Sequence, residues 1–208
     1  PQPDPPGANI VASAADGERD VAVIGGAGSV PPGAAVRVDD TDDDGAFAGT
    51  DASETGGFVV VVPSGPGHTL TVTYTIFENG EWRQSAARSI VVDRYDPVPD
   101  PLASEDGDFA SPFAPGMRAS GGFDSSLFVD APVSGYARVW CPDDCVQAGV
   151  RVILANQDRG EVLEVVHAGG MFEQPVRASI GDVLLVFAVL ADHPTQTSSL
   201  VRLVVPAR

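Results

Sequence analysis

Hydrophobic and polar residues alternate without a break from Thr69 to Ile76. Leu70, Val72, Tyr74 and Ile76 fall on one side, and Thr69, Thr71, Thr73 and Thr75 on the other. A period of two with one apolar side predicts a half-buried β-strand. Shorter runs punctuated by Gly, Pro, Asp and Asn predict further strands over 9–13, 20–25, 35–40, 46–51, 57–62 and 86–92. No stretch carries the 3.6-residue apolar spacing of a long helix. Such short strands, spread over about eighty residues, predict two antiparallel sheets packed face to face.

The pattern is written twice. GAAVRV at 33–38 matches QAGVRV at 147–152, and GGFVVVV at 56–62 matches GGMFEQ at 169–174. PGHTLTVTYT at 66–75 matches IGDVLLVFAV at 180–189, and SIVV at 89–92 matches RLVV at 202–205. The offset stays at 113 or 114 residues and the order is kept, which predicts two similar domains. The expected division is a Pro-rich tether over 1–8, a first sandwich over 9–93, a linker over 94–125 and a second sandwich over 126–208. The linker is dense in Pro, Gly, Asp and Ser and has no periodicity. Its scattered apolar residues (Tyr95, Leu102, Phe109, Phe113, Met117, Phe123) imply that parts of it dock on a surface.

The succession GSVPPGAAVRV, a polar hairpin, TGGFVVVVP and then GHTLTVTYT resembles the bacterial Ig-like domains of surface and secreted proteins. The likeness covers the first repeat well and the second more loosely. It implies an all-β chain of two Ig-like β-sandwiches in tandem, exported from a bacterial cell to its surface or surroundings. It also implies the roles such domains fill: adhesin stalks, spacers, and subunits of surface layers or filaments, seldom catalysts.

Charge narrows the partners. The formal net charge is -17, all 12 basic residues are Arg, and 21 of the 29 acidic residues are Asp. A chain this acidic repels nucleic acid and anionic membrane surfaces. No apolar run is long enough for a transmembrane helix. PQPDPPG at the start reads as a stiff tether trailing a removed signal or a lipid-bearing residue upstream. The two cysteines, Cys141 and Cys145, stand in CPDDC without the further Cys or His ligands that a zinc site needs. A small disulfide-closed loop is expected, as in an oxidising, exported setting; the alternative is two free thiols.

VDDTDDDGAF, residues 38–47, is the most acidic stretch. Asp40, Asp42 and Asp44 with Gly45 and Asp51 follow the oxygen spacing of a calcium-binding EF-hand loop, but strand patterns flank it where that loop needs helices. The matching segment of the second repeat, NQDRG at 156–160, lies between two strand patterns as a hairpin turn. A hairpin turn supplied with Asp and Gly is the first reading. A weak extracellular calcium site is the second, with Asp39, Asp40, Asp42, Asp43, Asp44 and Asp51 as candidate ligands.

Catalytic signatures are missing from the sequence. His68, His167 and His193 lack metal-ligand spacing, and no nucleophile elbow or P-loop occurs. His193 with Asp192 and the Ser198–Ser199 pair lie too close in sequence to suggest a triad. An enzyme is not expected. Trp82, in NGEWRQ, is a candidate ligand-binding aromatic, whereas Trp140 is expected to cover the core beside the cysteines.

The repeats differ most on one strand face. Where the first has Thr71, Thr73 and Thr75, the second has Leu185, Phe187 and Val189. The neighbouring EVLEVV strand adds Leu163 and Val165. A sandwich strand apolar on both faces must be covered, and full burial of three such side chains is worth roughly 5–8 kcal/mol. The linker, the first sandwich or a second copy could cover it, and the last would make a homo-oligomer or polymer through the second domain. The expected function is therefore a non-catalytic structural protein: a subunit of a surface assembly or filament, or an adhesive spacer. The alternative is a module binding carbohydrate or protein, with calcium as its possible cofactor.

Overall fold

The computed structural model describes residues 2–16, 18–94, 127–146, 149–168, 170–190, 193–198 and 200–207; the side chains of 142–146, 190 and 193–196 lie outside that description. The expected linker falls almost wholly outside the described residues, as do Pro1 and the side chain of Cys145.

The alternation read from the sequence becomes two Ig-like sandwiches. The first holds β1 (Ile10–Ala12), β2 (Asp20–Gly25), β3 (Ala35–Asp40), β4 (Phe47–Asp51), β5 (Phe58–Pro63), β6 (Thr69–Glu78), β7 (Glu81–Gln84) and β8 (Arg88–Val91). The second holds β9 (Phe128–Val129), β10 (Tyr136–Val146), β11 (Val150–Asn156), β12 (Glu161–Val166), β13 (Gly170–Arg177), β14 (Val183–Leu190), β15 (His193–Thr197) and β16 (Val201–Val204). In the first, a sheet β1-β2-β5 faces a sheet β4-β3-β6-β7 whose β6 also pairs β8. In the second, β13-β10-β9 faces β12-β11-β14-β15, with β16 also on β14. Adding eight to each strand number turns one topology into the other, so the repeat seen in the sequence is a repeat of the whole fold.

Alternation places the cores. Val36, Val38, Leu70, Val72 and Tyr74 meet Val21, Val23, Phe58, Val60 and Val62 inside the first sandwich. Val152, Leu154, Leu184, Val186 and Ala188 meet Val139, Cys141, Phe172 and Val176 inside the second. Two sheets packed at about 10 Å close one apolar layer each. A third buried layer lies between the sandwiches, where the outer side of β1-β2-β5 rests on the outer side of the sheet built around β11 and β14. The molecule is thus four sheets in series with three apolar layers.

Two local details depart from the sequence reading. β7 is an additional strand, turned back from β6 at Asn79 and Gly80, whose φ angles are 54° and 83°. Left-handed conformations at both central residues define the hairpin turn that Asn-Gly favours. The VRV of 36–38 and the VRV of 150–152 also do not occupy equivalent places. Val36 pairs with Tyr74, whereas it is Val152 that pairs with the equivalent Ala188. The second β11 is therefore slipped two residues relative to the sequence match, which keeps its apolar side inward.

The N-terminal segment lies on the first sandwich. Ala86 donates its N–H to the carbonyl of Pro3 at 3.1 Å, and Gly7 donates to Ser29 at 2.7 Å. The Tyr74 hydroxyl donates to the Asp4 carbonyl at 3.0 Å. Among the described residues no helix is long and apolar enough to cross a membrane.

Candidate functional site

The seam between the sandwiches forms because the outward side of β14 is apolar. Leu185, Phe187 and Val189 are each fully buried together with Ile153 and Ala155 of β11 and with Leu200, against Ala22 and Ile24 of β2 and Val59 of β5. The face expected to need a cover is covered by the first sandwich of the same chain. These three side chains are consequently closed to a second copy, contrary to the role expected of them as contacts between copies. Leu163 and Val165, expected at the same contact, point the other way: they pack on the core of the second sandwich. Val162, their alternate neighbour on β12, borders the seam instead.

Polar fastenings close the seam. Ala14 donates its N–H to the Ser198 carbonyl at 3.0 Å. Thr197 donates its N–H to Asp93 Oδ2 at 2.7 Å. Arg202 Nη2 reaches Asp16 Oδ2 at 3.2 Å and also Asp20 Oδ2. Asp16 Oδ1 meanwhile accepts the N–H groups of Glu18 and Asp20, both at 2.9 Å, so the loop holds its carboxylates in place before Arg202 arrives. Burial works against the Arg202 charge, but the hydrogen bond to Asp20 and the fields of Asp16, Asp20 and Glu18 outweigh it and raise the guanidinium pKa further. Two clefts flank the seam. One, of about 770 Å³, is lined by Glu54, Arg159, Glu161 and Arg177 over Leu154 and Val162. The other, of about 650 Å³, is lined by Ile24, Ile90, Val91 and Ile153 with Arg88 and Arg151 at its edge.

The acidic turn is built as a clamp. Asp40 is buried, and both its oxygens are engaged: Oδ1 accepts the N–H of Asp42 at 2.9 Å, while Oδ2 accepts the Ser64 hydroxyl at 2.6 Å and lies 2.8 Å from His68 Nδ1. Asp42 Oδ2 accepts the N–H of Thr69, the first residue of β6, at 2.6 Å. The second sandwich repeats the device. Asn156 Oδ1 accepts the N–H of Asp158 at 3.1 Å, and Asp158 Oδ2 accepts the N–H of Val183, the first residue of β14, at 2.7 Å. Asn156 also donates to Asp182 at 2.8 Å, in the place where Asp40 meets His68. In both halves the hairpin is pinned to the start of the central strand by one carboxylate.

This arrangement does not gather the expected calcium ligands. Asp51 pairs with Ala35 at the far end of the β3–β4 hairpin, whereas Asp39 pairs with Phe47 beside the turn. Four residues of strand separate them, roughly 13 Å. Asp43 and Asp44 are exposed at the tip. Among the described residues no group of three or more His, Cys, Asp or Glu side chains is placed to hold a metal. Burial alone would raise the Asp40 carboxyl pKa; the hydrogen bonds from Ser64, His68 and the Asp42 N–H, with the field of His68, hold it below the ordinary aspartate value instead.

Ser64, Asp40 and His68 also fail as a hydrolytic triad. The serine hydroxyl donates to the aspartate, on the Nδ1 side of the imidazole, whereas a nucleophile must lie at Nε2. Ser198 is fully buried and accepts the N–H of Ala188 at 2.8 Å, the same contact that Ser85 makes with Tyr74 at 3.0 Å in the first sandwich. Its role is to tie the chain to β14 where β15 gives way to β16. The side chain of His193 lies outside the described residues. Cys141 is buried in the second core and is not a free thiol.

Both tryptophans sit on outward faces. Trp82 is 71% exposed and meets Phe77 across the β6–β7 hairpin, ring centroids 5.1 Å apart. Trp140 does not cover the core. It points out from β10, stacks on Phe128 at 4.9 Å, and donates Nε1–H to Asp130 at 3.1 Å. Arg138 lies over its ring at 5.3 Å and pairs with Asp130 at 2.6 Å. The Trp140 hydrogen bond first, and Arg138 second, lower the Asp130 pKa.

No family model matches the sequence, and no curated protein matches it. Among solved structures the chain is similar to the BSP domain of a biofilm-associated protein, at 13% identity over 95% of this chain and 29% of that one, with a TM-score of 0.31. It is similar to the FN1–FN3 domains of chicken CNTN1, at 10% identity over 100% of this chain and 69% of that one, TM-score 0.30. It is also similar to a two-domain fibronectin type III segment of chicken tenascin, at 9% identity over 95% and 97% of the two chains, TM-score 0.28. The chain spans 29% of the biofilm-associated structure it matches.

Proposed function

We propose that this chain is a rigid, non-catalytic module of a bacterial surface or secreted protein, serving as a structural spacer that holds an adhesive or anchoring part at a fixed orientation. One observation carries the reading: the third apolar layer, in which Leu185, Phe187 and Val189 are buried against Ala22, Ile24 and Val59. Tandem domains joined only by a tether move independently. Here the seam is sealed by apolar side chains and fastened by Arg202, so bending the pair would expose a core-like surface. Among the described residues the buried Asp40, Asn156, Ser85 and Ser198 are committed to turns and strand junctions, which supports a structural role over an enzymatic one. An extracellular location accords with the acidity and with a buried cysteine that is not free.

Calorimetry tests the reading. The intact chain should unfold in one cooperative transition, with calorimetric and van't Hoff enthalpies equal. Phe187→Asp places an unpaired carboxylate in the seam and should cost more than about 3 kcal/mol there, splitting the transition into two. Two transitions in the unmodified chain would overturn the proposal.

A further inference from the structure

The contact inside the chain is directional: the three-stranded sheet of one sandwich lies on the five-stranded sheet of the next. Because the fold is repeated, each surface has an unused counterpart. The sheet β13-β10-β9 is the equivalent of β1-β2-β5, and its outer side has no described cover. The sheet built around β3 and β6 is the equivalent of the one built around β11 and β14, and its outer side has none either. Most exposed large apolar residues collect on these two end faces. Phe47 (55%), Phe77 (61%) and Trp82 lie on the first, and Phe128 (45%), Tyr136 (55%) and Met171 (61%), beside Trp140, on the second. Cross-strand register confirms the sharing of sides. Phe77 pairs with Trp82, Phe128 with Trp140, and Tyr136, Arg138 and Trp140 alternate with the core residues Ala137 and Val139.

The substitutions between equivalent faces have a direction. Where the buried face of the first sandwich has Ala22, Ile24 and Val11, the open face of the second has Arg138, Trp140 and Phe128. Where the buried face of the second has Ala155, Phe187 and Val162, the open face of the first has Asp39, Thr73 and Phe47. On both, a wholly apolar set gives way to one that mixes aromatic residues with charged or polar ones. That is the difference between a permanent interface and one that forms and separates in water. A surface needed only for solubility would not display a Trp–Phe stack capped by Arg.

We propose that a second copy of this chain docks its five-stranded end face onto the three-stranded end face of the first, repeating outside the chain the sheet pairing seen within it. The two faces differ and lie at opposite ends of the four sheets in series, so each copy keeps one free face and the contact propagates along the stack. The expected product is a reversible linear stack. The net charge of -17 opposes it, so salt should promote it. The inference goes beyond the spacer reading: a rigid pair of sandwiches stands whether or not copies stack.

Sedimentation velocity on the intact chain, from about 10 µM to 1 mM in low and high salt, tests it through two end-blocking variants. Trp82→Asp blocks one face, and Trp140→Asp the other; Met171→Asp, at an exposed position, replaces the latter if its melting temperature falls. The unmodified chain should show a mass that climbs with concentration and has no plateau, more so in high salt. Each variant alone should associate at least about tenfold more weakly. An equimolar mixture of the two should stop at twice 21.4 kDa, because each supplies the face that the other lacks. A chain that stays monomeric throughout, as it would if another protein, a glycan or its own remaining segment occupies these faces, overturns the proposal. So does a plateau at a closed dimer, or variants that associate like the unmodified chain.

Discussion

Asp40 shows how one side chain organises a hairpin. A carboxylate this buried persists only because three donors surround it: Ser64, His68 and the Asp42 N–H. Its pKa is lowered in the folded chain. A lowered folded value means stability that is fully present above the unfolded aspartate pKa and lost as the pH falls through the folded one. Asp40→Asn, which borrows the residue found at the same place in the second sandwich, removes that dependence but leaves donors facing donors. At neutral pH it should destabilise by about 1–3 kcal/mol. Thermal melts between neutral and acid pH should show the gap between variant and unmodified chain closing as the pH falls. A constant gap would mean that Asp40 acts through shape rather than charge. Ser85 and Ser198 invite a simpler test. Each ties a strand junction to the central strand by accepting a buried N–H, so alanine at either should cost about 1–2 kcal/mol by urea titration.

At the scale of strands, what the sequence reveals depends on whether the signal is local. The alternation at 69–76 placed β6 and its apolar side because side-chain period is a property of the strand itself. The Asn79-Gly80 signal for β7 was equally local and is readable in hindsight. The slip of two residues in β11 was not, since VRV satisfies either register until its neighbours are known. The apolar outer side of β14 announced that something must cover it, and nothing in 185–189 could say what. The answer lay in Ala22, Ile24 and Val59, on strands whose two sides are both apolar and which therefore also needed a second partner. The acidic turn is the hairpin that its Asp and Gly residues first suggest, and it does not gather the calcium ligands of the second reading: calcium spacing counts residues along the chain, whereas the hairpin carries Asp51 away from Asp40. Arg202→Ala isolates the polar share of the seam. Loss of this partly buried partner of Asp16 and Asp20 should lower the melting temperature and speed proteolysis between the sandwiches, while each sandwich keeps its strands by circular dichroism. Unchanged proteolysis would assign the hold to the apolar layer with the Ala14–Ser198 and Thr197–Asp93 hydrogen bonds.

The whole molecule must hold together against its own charge. The chain's formal charge of -17 repels itself at low ionic strength. Several of the arginines are already committed to single carboxylates, as in Arg37–Asp39 and Arg159–Asp182. Screening relieves the long-range repulsion over about a Debye length and weakens the exposed pairs, which contribute little in any case. Stability should therefore rise with salt, and the melting temperature should climb between about 10 mM and 500 mM sodium chloride. Calcium separates a specific site from this general effect. With Asp40 fully engaged, Asp42 holding the Thr69 N–H and Asp51 at the far end of its hairpin, the tip carboxylates Asp43 and Asp44 act only as part of the total charge. Millimolar calcium should then raise the melting temperature no more than magnesium at equal concentration, and Asp42→Asn should leave the two ions equivalent. A calcium-specific rise abolished by that substitution would show the turn rearranging around an ion, and the clamp on Thr69 would be the contact it gives up.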